Sequence, residues 1–290
     1  FNVLNLPDVR KIDRLEYDKD TGAWQKKVDQ LKQAKKILVA CGQSSHVSDA
    51  LKKQINTFFK KYNSAISVEY MSNIEGEGVI NTFICWDARY VTEKKFSEFI
   101  PDIVVSFGGN IMSGLKEMLK KNAGKFEHWS IQEDGRIVDM FMSLTTVFEC
   151  SPEHFFTYAN SVADSMQIND SVYFTSIKHY ADSVEYPDFE YSNVYVIKNI
   201  VENIPVNSIL HLSINGAIRI TNYSKLNQGI KVYANIGTHG IDGCLSSFFG
   251  QAYIRDDLSF LVIGDLSFFY DMNALRIRHI KPNVRILLIN

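Results

Sequence analysis

Little in this sequence marks a charge-driven binder. Its 290 residues hold 31 Lys and Arg against 33 Asp and Glu, a formal net charge of −2. Neither sign is in excess to track a nucleic-acid backbone or an anionic membrane surface, so neither is expected as a partner. Cysteine is scarce as well. Cys41, Cys85, Cys150 and Cys244 are scattered, with no C-x-x-C pair and no His at zinc-finger spacing. They indicate neither a disulfide framework nor a metal cluster, and read as idle thiols of a cytoplasmic protein. No apolar run approaches the length of a membrane span, and no basic start leads into an apolar stretch and a cleavage site. The expected location is the cytosol.

What is present suits a large core. With 46% hydrophobic residues the chain can bury substantial apolar surface, and its length favours two domains over one. Trp24, Val28 and Leu31 fall at amphipathic-helix spacing, with lysines between them. Apolar runs at Lys36–Gly42, ending in a glycine turn, and at Ile66–Tyr70, Asp102–Gly108 and His128–Gln132 read as strands, and helices are predicted over 48–62 and 113–121. Ser44, Ser45 and Ser48 supply capping-type residues before the first of these helices. Residues 1–21 read as an extended surface lead-in.

Between Cys150 and Asn207 the composition shifts to Tyr, Ser, Asp and Phe, punctuated by Pro152, Pro187 and Pro205. Helical spacing appears there around 155–166 and 195–204. Four further strands are predicted at 208–213, 231–234, 258–263 and 284–289. Strands alternating with helices argue parallel sheets with right-handed crossovers. The expected fold is α/β, two parallel-sheet three-layer domains, spanning residues 1–165 and 166–290.

Gly109-Asn-Ile-Met-Ser-Gly114 is nearly a phosphate-binding loop, but Leu115 stands where the Walker pattern needs Lys. Glu75-Gly-Glu-Gly78 is no dinucleotide fingerprint either, since its carboxylates would repel a phosphate. The more informative glycines lie in the last third. Asn235-Ile-Gly-Thr-His-Gly240-Ile-Asp-Gly243 precedes a helix, and Gly264-Asp265-Leu266-Ser267 follows an apolar strand. Gly264 is expected to let the backbone turn tightly beside a ligand. Asp265 would set a hard oxygen donor at the carboxyl end of a strand, where open α/β sheets bind ligands, and Mg²⁺ on a diphosphate needs few protein oxygens. Asp265 as an ordinary helix cap remains the alternative.

Gly264-Asp-Leu-Ser267, with a later strand ending at Asn290, resembles the thiamine-diphosphate (ThDP) motif, which opens with Gly-Asp and closes with Asn-Asn. Within that superfamily the 235–243 and 264–273 segments are similar to the menaquinone-pathway SEPHCHC synthases. His211-Leu-Ser-Ile-Asn215-Gly-Ala-Ile-Arg219, Phe107-Gly-Gly-Asn-Ile-Met-Ser113 and Pro152-Glu-His-Phe-Phe156 fit the same family.

The resemblance implies ThDP and Mg²⁺ as cofactors, Asp265 as metal ligand, and Gly240, Ile241, Asp242, Gly243, Gly264, Asp265, Leu266 and Ser267 around the cofactor. Ile241 resembles the bulky residue that props the bent thiamine rings, or is a core isoleucine. Gly243, Ser246 and Ser247 begin a helix whose free N–H groups would face the diphosphate. Asn215 and Arg219 would meet substrate, and His239 either touches a carboxylate or sits in solvent. The implied reaction decarboxylates a 2-oxo acid and transfers its acyl unit to an acceptor, in a homo-oligomer.

Family enzymes carry their activating glutamate in a first domain that this chain does not match. It is therefore expected to be a fragment, a middle domain plus a truncated diphosphate-binding domain, inactive by itself. Several substrate positions also depart from the pattern. Gly114 and Leu115 replace a Lys-Arg pair, Ile236 replaces Arg, and Ile214 and Asn215 replace an Asn-Ser pair. A divergent paralogue follows from these departures, either with a less anionic substrate or as a non-catalytic scaffold.

Overall fold

A computed structural model describes residues 10–87, 91–163, 170–186, 188–237 and 239–290. The chain forms two compact units. One comprises Phe1–Gly42, Val47–Val68 and Ile74–Ser183, the other Gln43–His46, Glu69–Asn73 and Val184–Asn290. The sequence boundary near residue 165 lies outside the described residues. Both units are α/β with parallel strands, as expected.

The first unit runs β1 (Asp13–Glu16), α1 (Thr21–Gln33), β2 (Ile37–Cys41), α2 (Asp49–Tyr62), β3 (Ala65–Val68), β4 (Val79–Asn81), α3 (Glu93–Phe96) and β5 (Ile103–Phe107). It continues with α4 (Leu115–Lys121), β6 (Glu127–Ile131), β7 (Leu144–Glu149), α5 (Pro152–Val162) and α6 (Val172–Asp182). Its seven strands are ordered β1-β7-β6-β5-β2-β3-β4. β2, β3 and β5 are buried at every position, which is why they read as continuous apolar runs instead of alternating ones. Trp24 of α1 packs edge-on against Phe148 of β7 at 4.7 Å, and Phe58 of α2 against Phe156 of α5 at 5.2 Å. Ser48 caps α2 by accepting the Leu51 N–H at 3.0 Å.

Part of the expected lead-in is structural. Asp13–Glu16 forms the sheet edge, paired in parallel with Thr146–Glu149. Such a four-residue strand has too few apolar side chains to be seen by periodicity; its pairing partner supplies the order. A buried polar array also crosses this sheet. Ser106 Oγ lies 2.7 Å from His128 Nε2, and His128 Nδ1 faces Asp139 Oδ1 at 3.9 Å, beyond hydrogen-bond reach.

The second unit runs α7 (Asn193–Val201), β8 (Ile209–Leu212), α8 (Gly216–Thr221), β9 (Lys231–Ala234), α9 (Cys244–Ile254), β10 (Ser259–Gly264), α10 (Asp265–Tyr270) and β11 (Val284–Ile289). All pairs in its sheet, ordered β11-β10-β8-β9, are parallel. Leu245, Phe248 and Phe249 of α9 pack with Leu261 and Ile263 of β10, and Phe268 of α10 joins them. Thus α9 and α10 share one face of the sheet. From β8 the chain steps through α8 to β9; from β9 it crosses back over β8 to β10. Successive connections leave β8 and β10 in opposite directions, so a topological switch point lies between their carboxyl ends.

Candidate functional site

The switch point of the second unit gathers most of the predicted site residues. β10 ends at Gly264, and β11 ends at Ile289 directly opposite it in register. Asp265 and Asn290, the next residue of each, therefore leave neighbouring strands at the same level. On the other side, Ser213 follows β8, and its buried hydroxyl accepts the Gly264 N–H at 3.3 Å.

Gly264 does not make the turn that the sequence suggests. Its φ is −76°, which any residue adopts, and a Cβ built there meets nothing within 4 Å. The open space above it, and not conformational freedom, is what the glycine provides. Left-handed backbone occurs instead at Gly243, with φ +72°, where a Cβ would lie 3.1 Å from Asn235 Nδ2. Asn235 Nδ2 donates to the Asp242 carbonyl at 3.0 Å and folds the 235–243 loop on itself.

That loop is fastened to α10. Ser267, 4% exposed, donates its hydroxyl to the Ile241 carbonyl at 2.6 Å. The glycine-rich turns at 240–243 and 264–267 are therefore in contact. Ile241 is half-buried in a loop and is not a core residue. Gly240 is half-buried beside it, while His239, Asp242 and Leu266 are exposed, Leu266 to 69%.

The half-buried Asp265 is the first residue of α10, which Gly264 precedes as N-cap. No described residue gives its carboxylate a hydrogen bond or ion pair, so the capping alternative finds no bond to support it. Among the described residues, no group of three or more His, Cys, Asp and Glu side chains could hold a metal. A cation at Asp265 would thus have one carboxylate and would need the remaining oxygens from elsewhere. Mg²⁺ on a phosphate ligand fits that donor set, because it keeps several waters and takes one or two carboxylates.

The α9 N-terminus, expected to face a diphosphate, already holds a carboxylate. Asp271 accepts the Ser246 N–H at 2.7 Å and the Ser246 hydroxyl at 2.9 Å. An anion meets repulsion where the sequence reading expected free donors. Asp271 and Ser213 were not singled out by sequence, since a lone Asp after a helix and a lone Ser after a strand carry no periodic signal.

Asn215 precedes α8 as its N-cap and Arg219 lies in its last turn, joined by the Arg219 N–H to Asn215 carbonyl bond at 3.0 Å. Both are exposed, and no described residue pairs with the Arg219 guanidinium. Asn215 has φ +62° and ψ −107°, a conformation glycine prefers. Strain of that kind, next to a switch point, is typical of ligand-contacting turns.

In the first unit, the 107–111 segment lines a cleft of about 240 Å³ together with Ser106, Ser130, Gln132 and Arg136. Arg136 is paired there with Asp134 at 3.1 Å.

No protein-family model matches the chain. Individual relatives do. It is 33% identical to a 2-succinyl-5-enolpyruvyl-6-hydroxy-3-cyclohexene-1-carboxylate synthase of Bacteroides thetaiotaomicron, over 100% of the chain and 52% of that protein. Synthases of the same name from Phocaeicola vulgatus and Desulfotalea psychrophila are 31% and 28% identical, over 100% and 92% of the chain. The chain spans about half the length of the curated relatives it matches, 52%, 51% and 48% of these three.

Proposed function

The chain belongs to the 2-succinyl-5-enolpyruvyl-6-hydroxy-3-cyclohexene-1-carboxylate (SEPHCHC) synthase family, and on that premise we propose that it serves a ThDP- and Mg²⁺-dependent acyl transfer from a 2-oxo acid. One observation carries the reading. Asp265, whose carboxylate no described residue pairs with, leaves β10 beside the switch point and level with Asn290 at the end of β11, and the Ile241 loop is fastened to the helix it begins.

Thiamine diphosphate, when bound, supplies the electron sink for decarboxylating a 2-oxo acid and passing on its acyl unit. The chain's own residues bind and orient. Asp265 is the metal carboxylate, and the bare backbone at Gly264 leaves room for a close ligand. Ile241 offers apolar surface held at a fixed place by Ser267. Arg219, which no described residue pairs with, supplies a cation for a substrate carboxylate, with Asn215 beside it.

The substrate is read as less anionic than isochorismate with 2-oxoglutarate. Leu115, Ile214 and Ile236 are 1%, 6% and 1% exposed, so these departures from the family pattern are apolar core. At Gly114 a Cβ would lie 2.0 Å from the Trp86 carbonyl oxygen, which leaves no room for a lysine without backbone movement. Dianions in a partly desolvated site, without paired cations, would cost several kcal/mol.

The test uses the whole protein. Calorimetry should show ThDP binding that requires Mg²⁺, and turnover should favour a monocarboxylic 2-oxo acid such as pyruvate over 2-oxoglutarate. Absence of ThDP binding sinks the reading in favour of a non-catalytic scaffold. Preference for 2-oxoglutarate with isochorismate overturns the altered substrate alone.

A further inference from the structure

Resting on the thiamine reading above, we propose that Asp271 is a positioning residue, which holds the ring-contacting loop at Ile241 in place through the first turn of α9 and takes no part in holding the diphosphate. Asp271 follows the last turn of α10, the helix that Asp265 begins. Its Oδ2 accepts both the backbone N–H and the hydroxyl of Ser246, at 2.7 and 2.9 Å. Ser246 is the third residue of α9, so its N–H is one of the first-turn donors that no helical carbonyl can satisfy. A carboxylate there also suits the positive end of the helix dipole.

The same short helix reaches the loop a second time. Ser267 donates to the Ile241 carbonyl at 2.6 Å. Residues 241–246 are thus held at both ends by α10, at Ile241 through Ser267 and at Ser246 through Asp271. Behind this clamp, Leu245 and Phe248 are fully buried against β10, so the first turn of α9 has no free direction in which to slide. One helix thereby sets the spacing between the metal carboxylate at its start and the apolar prop of the neighbouring loop.

The charge of Asp271 separates this role from phosphate binding. It already occupies the Ser246 N–H, one of the α9 first-turn donors, and repels an anion at that place. Removing it should therefore weaken contact with the thiamine rings without weakening the metal-diphosphate contact, which loses a nearby repelling charge. The experiment titrates the whole protein, with Mg²⁺ present, against ThDP and separately against inorganic pyrophosphate.

Asp271→Ala is expected to weaken ThDP about tenfold, with pyrophosphate affinity within about twofold of wild type or raised by the loss of the repelling charge. Ser246→Ala keeps the carboxylate and the backbone N–H and removes one hydroxyl, so it guards against a misfolded first variant. It should weaken ThDP about threefold, again without effect on pyrophosphate. Equal weakening of both ligands, or no change in either, overturns the proposal. Wild-type protein that binds pyrophosphate but not ThDP, or neither, overturns the thiamine reading itself and this role with it.

Discussion

Asp265 and Asn290 leave adjacent parallel strands at one level, because Gly264 pairs with Ile289. A motif whose two ends are far apart in sequence is closed by strand register. Asp265→Asn keeps the shape and removes the charge. Mg²⁺-dependent ThDP binding is expected to fall about a hundredfold, roughly 3 kcal/mol, as calorimetry would read it. With no partner among the described residues to lose, the variant should unfold within about 0.5 kcal/mol of wild type.

Two glycines of the site should respond in opposite ways to alanine. At Gly243 the left-handed φ of +72° and the Asn235 amide 3.1 Å from a Cβ predict destabilisation. The expected loss is about 1–2 kcal/mol in urea unfolding. At Gly264, φ is −76° and nothing lies within 4 Å of a Cβ, so stability should hold within about 0.5 kcal/mol. The same Gly264→Ala protein should bind ThDP several-fold more weakly, since the methyl fills the space left for the ligand.

Arg219→Gln removes an exposed guanidinium that no described residue pairs with. Its unfolding free energy is expected to change by less than about 0.5 kcal/mol. KM for a 2-oxo acid should rise about tenfold, consistent with loss of a charge-assisted contact. An unchanged KM would remove Arg219 from the substrate side.

Acid should weaken the fold through His211. Burial holds its pKa down, from 6.5 to about 4. The folded form is the neutral ring, so as pH falls the unfolded chain takes up its proton first, near 6.5. The contribution is present above that value and is lost as pH drops towards 4, on the order of 3 kcal/mol. His128 in the first unit, lowered chiefly by burial, acts in the same direction. Comparing urea midpoints of wild type and His211→Gln between pH 7 and 4.5 should show a shallower acid loss in the variant.

Thiol labelling reads the packing of both units. Cys41, Cys85 and Cys244 are buried, and burial raises the Cys41 and Cys85 pKa values. Each should react with a thiol reagent only on unfolding. Rapid labelling of any of the three in the native protein would show that its element opens locally.

The strands were the most legible part of the sequence. β9 and β11 fall at their predicted bounds, and β2, β5 and β6 differ by a residue at each end. Buried parallel strands are continuous apolar runs, and such runs need no partner to be recognised. β1 and β4 escaped because strands of four and three residues hold too few side chains for a period, and the six-residue β7 escaped because two adjacent threonines interrupt its apolar run. The resemblance rested on local runs around Gly243 and Asp265, and the matching relatives share it along the whole chain.

The roles within those runs were less legible. Sequence placed the conformational need at Gly264, whereas the backbone places it at Gly243. It left the α9 N-terminus open, whereas Asp271 occupies it. By itself, then, the amino-acid sequence determined the α/β class, the principal strands and the family, because these follow from periodicity and contiguous motifs. The tertiary structure alone decided, among the described residues, which donors are taken, which carboxylate lacks a partner and which loops touch, because hydrogen bonds such as Ser267 to Ile241 and Ser246 to Asp271 join residues that only the packed fold brings together.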